Sequence, residues 1–334
     1  MGFLEKYLQH PFIAGKKYDL VFFLLAPIVA ALIGGTLYST FEDYNYKFGT
    51  YALLYLGTFI TNFHLVLVFY RSHNNAEIFK LYKFRFIAVP FILLASFFLL
   101  PSWFAFCVGL ALIWDSYHSA MQVFGLARIY DYKMGNKAEE GRKEDYIFNL
   151  VIHYCPMFIG ITTLKDIYQL LAVESTINPI PKEYLNNIFE YFDYLKIFAW
   201  VLLIGYTLYY IWFYRQLQKQ GYKFSYNKII LYALILACRV YAFSFHFVSA
   251  WIILNIFHAM QYFGIVWFTE KNRIQNLFGA TKAVSLFFFI LTAVFYALYV
   301  SGASDITGIK FSLTVTLLHY WYDGFIWSVR KKQV

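Results

Sequence analysis

Ten stretches of about fifteen to twenty-five residues, almost free of charge, recur along this chain. A bilayer core of about 30 Å takes roughly 20 apolar residues as helix, because every backbone amide must be satisfied internally where water is absent. The stretches are 20–38, 51–70, 86–100, 103–127, 146–164, 197–214, 229–245, 248–268, 283–300 and 311–329. The third is short, and the break between the seventh and eighth rests on the His246-Phe247 junction. The first is too long, and lies too far into the chain without a small-residue cleavage site, for a removable signal peptide. Only 14% of the 334 residues are charged, where a soluble domain uses about a quarter, which excludes a cytosolic enzyme. The expectation is an all-α, polytopic helical bundle forming one domain, without a linker or low-complexity tract to divide it.

Orientation follows from where Lys and Arg lie, since cytoplasmic loops retain them. The two ends and alternate loops (71–85, 128–143, 215–228 and 271–282) hold 22 of the 28 basic residues, and the other side, including intramembrane Arg239, holds 6. This alternation predicts ten spans with both termini cytoplasmic, in a bacterial-type inner membrane. It also removes nucleic acid as a partner: the net charge of +9 is spread over separate loops rather than gathered on one solvated face. The longest outer connection, about 165–196, contains the turn Asn178-Pro-Ile-Pro181 and is a candidate cap for the outer mouth. Cys107, Cys155 and Cys238 fall in apolar runs without CxxC spacing, so they read as packing residues.

Ionisable groups inside a bilayer are costly, and by default they face the bundle interior with a partner and a purpose. Of eight histidines, five lie within the stretches: His64, His118, His153, His258 and His319. Four of them sit on like-directed helices, 7, 10, 12 and 11 residues before a cytoplasmic charge (Arg71, Arg128, Glu270 and Arg330). At about 1.5 Å per residue they fall within roughly 8 Å of one level. His153, on an oppositely directed helix, follows Asp145 by 8 residues and falls in the same slab; it is a reserve ligand, because its Tyr154-Cys155-Pro156 neighbours mark a kink that explains local polarity without a metal. Arg239 is expected to snorkel outward.

Each histidine has polar company at helical spacing. Asp115, His118 and Gln122 form one stripe; Asn255, His258 and Gln261 or Tyr262 form another; His319 has Asp323 at i+4. A ligating imidazole normally donates its second N–H to a carboxylate or carbonyl, so Asp115 and Asp323 have the chemistry to orient ligands or to coordinate directly. Gln122, Gln261 and Tyr262 are expected to line the substrate or dioxygen side. His118-Ser-Ala-Met-Gln-Val-Phe-Gly125 and His258-Ala-Met-Gln-Tyr-Phe-Gly264 also share Met-Gln-x-Phe-Gly, with the histidine displaced by one position. All-imidazole sites with carboxylate support suit iron, copper or zinc rather than magnesium or calcium. Iron in an apolar pocket implies dioxygen chemistry on a membrane-soluble substrate, and zinc implies hydrolysis.

Ile256-Phe-His258-Ala-Met-Gln-Tyr-Phe-Gly-Ile-Val-Trp267, Leu317-Leu-His319-Tyr-Trp-Tyr-Asp323 and Tyr117-His118-Ser-Ala-Met121 resemble histidine helices of the Brp/Blh-type membrane carotenoid-cleaving dioxygenases. The likeness covers about 60 residues in short pieces. It implies a non-haem iron held by His64, His118, His258 and His319, with oxidative cleavage of a carotenoid as the activity. This chain departs from the pattern at Tyr262, where the family has a second histidine, and at Asp323, which stands one residue nearer the last histidine. Two other functions fit the stripes: a di-metal desaturase or hydroxylase acting on lipid chains, whose clustered HxxxH and HxxHH motifs are absent here, and a non-enzymatic b-type haem electron carrier or ion-conducting protein. An oxygenase of this kind also leaves room for an electron-donor protein.

Overall fold

A computed structural model describes residues 10–42, 46–160, 182–245, 247–302 and 305–327. These are helical, with no strand among the described residues. In chain order the helices are α1 (Lys16–Asp19), continued by a π-turn over Leu20–Leu24, α2 (Ala26–Glu42), α3 (Tyr46–Leu65), α4 (Val68–Ser72), α5 (Ala76–Leu99), α6 (Pro101–Lys133), α7 (Arg142–Ile159), α8 (Lys182–Lys219), α9 (Tyr226–Ala242), α10 (Phe247–Phe278), α11 (Lys282–Gly302) and α12 (Ile306–Ile326). Every one of the ten apolar stretches is helical over most of its described length. Four helices among the described residues are long and apolar enough to cross a membrane: α5, the Asp193–Lys219 part of α8, the Ser249–Phe278 part of α10, and α11. The pair Lys16–Leu24 and Ala26–Leu37, bent by 45°, makes a fifth if counted as one span. The Asn178–Pro181 turn, His246 and Arg330 lie outside the described residues.

Local chemistry sets several of the boundaries. The third apolar stretch is short only as an uncharged run: helix α5 begins ten residues earlier, where the Asn75 side chain accepts from the Ile78 amide at 3.3 Å and caps the first turn. Lys80, Lys83 and Arg85 therefore belong to a helix rather than to a loop, with non-helical angles at Tyr82 (φ −130°, ψ 23°). Ser225 and Asp305 cap α9 and α12 in the same way. The second stretch is interrupted, since α3 ends at Leu65 and α4 starts at Val68.

The chain divides into two compact units, one of residues 1–53 and 126–257, the other of 54–125 and 258–334. In the first unit α7 packs on α8 and α9, and α9 on α2. Its interior holds an ionic cluster that the sequence reads as solvated loop charge. Arg128 reaches Asp131 at 2.7 Å and pairs with Asp145, while Lys228 lies 2.8 Å from Asp131 and 3.1 Å from Asp145, all four buried. The hydroxyls of Tyr210 and Tyr214 donate to Asp145 Oδ1, each at 2.6 Å. Burial alone would push the Asp145 carboxyl up; Lys228, Arg128 and the two hydroxyls outweigh it and hold it below its ordinary value. Gly141, at φ +64°, opens α7 in the left-handed region, and a Cβ there would collide with the Tyr214 hydroxyl.

Arg239 does not snorkel. It is buried, with Nη1 donating to the His153 carbonyl at 2.9 Å, an acceptor inside the unit three residues before Pro156 of α7. In the second unit α12 packs on α4, α5 and α11.

Candidate metal centre

Four helices of the second unit each bring one histidine to a common point: His64 from the last turn of α3, His118 from α6, His258 from α10 and His319 from α12. All four are buried, and one ring nitrogen of each lies within 4.8 Å of the corresponding nitrogen of every other. The rings meet edge to face, with centroids 4.7 Å apart for His64 and His258, 5.1 Å for His64 and His319, 4.9 Å for His118 and His258, and 4.7 Å for His118 and His319. Nε2 of His118 and Nε2 of His319 stand 3.0 Å apart. Ligand nitrogens bound at about 2.1 Å to one cation are separated by about 3 Å at neighbouring vertices and about 4 Å at opposite ones. The 3.0 Å pair has the spacing of neighbouring vertices, and the group as a whole, within 4.8 Å, could close on a single metal ion.

The break between α3 and α4 sets the state of one ring. There the amides of Leu67 and Phe69 turn to His64 O and Val66 O, each at 3.1 Å. The Leu65 carbonyl is thereby directed away from the helix, and His319 Nδ1 lies 3.1 Å from it. A carbonyl can only accept, so Nδ1 carries the proton and His319 Nε2 presents a lone pair to the centre.

Around the rings, the polar residues expected from the sequence divide by what they touch. Asp323 does not stand behind an imidazole. Its Oδ2 is 3.8 Å from His118 Nε2 and 3.7 Å from His319 Nε2, on the same side as the ligand nitrogens, while Oδ1 accepts from the Tyr262 hydroxyl and the Trp327 indole, both at 2.9 Å. Tyr262 is buried, with its ring 4.6 Å from His319 and 5.7 Å from His64. Asp115 reaches the centre through another side chain: its Oδ1 accepts the Tyr320 hydroxyl at 2.9 Å, and the Tyr320 ring stacks on His118 at 4.7 Å. Gln122 joins α6 to α10, donating to the His258 carbonyl at 3.1 Å and to Gln261 Oε1 at 3.2 Å.

His153 is not among the four. It belongs to the first unit, fully buried on α7, with Nδ1 2.7 Å from the Asn149 carbonyl of its own helix. One turn of helix supplies its partner, which is the ordinary role of a buried polar residue.

Sequence reasoning missed a charged network beside Asp323. Arg71 on α4 pairs with Glu270 on α10, donates from Nε and Nη2 to the Ile326 carbonyl at 3.1 Å each, and stacks on Trp327 at 4.1 Å. Asn75 donates to both Glu270 oxygens at 3.3 and 3.2 Å, and Arg273 approaches the same carboxylate at 3.2 Å. In the sequence Arg71 and Glu270 stand only as flanking charges that mark depth. Their shared burial was detectable as an acid among bases at one end of the stretches.

No family model, curated protein or solved structure matches this chain.

Proposed function

We propose that this chain is a ten-span integral membrane protein, with both termini cytoplasmic, that binds one iron ion through His64, His118, His258 and His319 and oxidises an apolar substrate with dioxygen. The observation behind this reading is the burial of four imidazoles, from four helices, with their nitrogens within 4.8 Å. A cation would satisfy the buried imidazole lone pairs that the single 3.0 Å His118–His319 contact leaves in an apolar interior. Nitrogen donors favour iron, copper or zinc. Iron and copper both supply dioxygen activation, whereas zinc would supply a hydrolytic hydroxide; the likeness to Brp/Blh-type enzymes favours iron.

The chain's own residues then have separable tasks. The His319 proton is held on Nδ1 by Leu65. Tyr320, backed by Asp115, fixes the His118 ring plane. Gln122 and Gln261 tie α6 to α10 where His118 and His258 descend, and the apolar surroundings exclude water from the ring cluster. The likeness to Brp/Blh-type dioxygenases supports a carotenoid or similar polyene as the substrate, with a bacterial-type inner membrane as the location. A lipid chain is the other apolar substrate this reading admits, and the reading leaves room for an electron-donor protein. The haem alternative is disfavoured by geometry, because rings in mutual contact leave no room for a porphyrin between any two of them.

Elemental analysis of the purified protein beside His118→Ala and His319→Ala tests this reading. The wild type is expected to hold about one iron per chain and the variants much less. Unchanged metal in both variants would remove it. Oxygen uptake on adding a carotenoid to metal-loaded wild type then tests the chemistry.

A further inference from the structure

Asp323 is gripped on one oxygen and aimed with the other. Tyr262 and Trp327 hold Oδ1, each at 2.9 Å, and Oδ2 is turned toward the Nε2 atoms of His118 and His319. The grip is itself braced, since Arg71 lies against the Trp327 ring at 4.1 Å and is fixed by Glu270 and the Ile326 carbonyl.

We propose that Asp323 is the anionic fifth donor of the metal centre, with Oδ2 joining the four imidazoles on one cation and with Tyr262 and Trp327 as its positioning residues. The proposal rests on the metal reading above. Its first support is distance: Oδ2 stands 3.7 and 3.8 Å from two of the four nitrogens, so a shift of less than about 1 Å toward the four-histidine group brings it to the spacing of a neighbouring vertex. The second is charge. Four neutral imidazoles leave a divalent ion with both positive charges uncompensated in an apolar interior, where unpaired charge is strongly disfavoured; one carboxylate cancels half of that. The third is construction, because bonds that occupy one carboxylate oxygen and leave the other directed at the ligand atoms are what metal-bound carboxylates typically have behind them. Asp115, by contrast, is engaged by Tyr320. Five protein donors would leave a six-coordinate ion room for one further ligand atom.

The test uses the full chain in detergent, with cobalt(II) as the probe, since its visible bands weaken as coordination rises from four to five. Wild type should take up about one cobalt per chain with the weaker, five-coordinate bands. Asp323→Asn keeps an oxygen for Tyr262 and Trp327; it should bind cobalt at least about 10-fold more weakly, with stronger bands. Asp323→Glu keeps the charge and should recover most of the affinity, and Tyr262→Phe should retain one cobalt with a smaller loss. Unchanged affinity and bands in Asp323→Asn, with His118→Ala stripped of cobalt, would overturn the fifth donor and leave the four-histidine reading intact. If Asp323→Asn does not fold, four-coordinate bands in wild type or in Asp323→Glu would overturn it instead. No cobalt in wild type, or undiminished cobalt in His118→Ala, would overturn both.

Discussion

Gln122 Nε2 lies 3.2 Å from Gln261 Oε1, so the two Met-Gln segments that echo each other in sequence meet side chain to side chain. The same amide holds the carbonyl of His258. Gln122→Ala removes both bonds from the contact between α6 and α10. It should lower stability by about 1 to 2 kcal/mol and weaken metal binding without abolishing it, as measured by denaturation and metal titration in detergent. Loss of all metal in this variant would instead make Gln122 part of the coordination itself.

His153 offers the sharpest contrast with the four clustered rings. His153→Leu removes the Asn149 bond but no donor from the centre, so metal content should stay at the wild-type value while stability falls by about 1 to 2 kcal/mol. Elemental analysis of this variant beside His64→Ala separates the residue from the ligands, because only the second should lose its ion.

Arg71 and Glu270 are both buried, and each depends on the other. Glu270→Leu takes its buried carboxylate from Arg71 and should cost about 3 to 5 kcal/mol, whereas Arg71→Met leaves Glu270 bonded by Asn75 and Arg273 and should cost less. The double variant should cost clearly less than the two together. A thermodynamic cycle on the purified proteins measures that coupling, and simple additivity would show that the pair does not act as a unit.

Acid should act on the first unit through Asp145. Its folded carboxyl titrates below the ordinary 3.8, so the unfolded chain takes up the proton first. The stability it contributes is complete above that ordinary value and is lost as pH falls through the folded one. Melting curves from neutral pH to about pH 3 should therefore fall below about pH 4 in wild type, with Asp131, whose carboxyl burial pushes up, offsetting part of the loss. Asp145→Asn should begin from a lower melting temperature and show a shallower acid limb.

The sequence revealed the helices well, because continuous apolar runs leave few alternatives to helix. It revealed the ligands less completely. Distance from a charged flank fixes position along a helix but not rotation about its axis, so it offers five candidate histidines where four are grouped. Asp323 shows the same limit: spacing put it on the His319 face, but not on the side of Nε2 rather than Nδ1. The paired charges were the least legible part. Counting Lys and Arg loop by loop treats each as solvated, whereas Arg71 is buried against an acid 199 residues away, Arg128 against acids 3 and 17 away, and Lys228 against acids 83 and 97 away.

The interruption after Leu65 has a lasting effect on how this centre can vary. The group that fixes the His319 tautomer is peptide oxygen, which is present whatever amino acid occupies position 65. Neighbouring side chains can therefore be exchanged, by drift or by design, to admit a different substrate without disturbing where that proton sits. Only a change in the path of the main chain, such as an added residue that completes the broken turn, would release the ring.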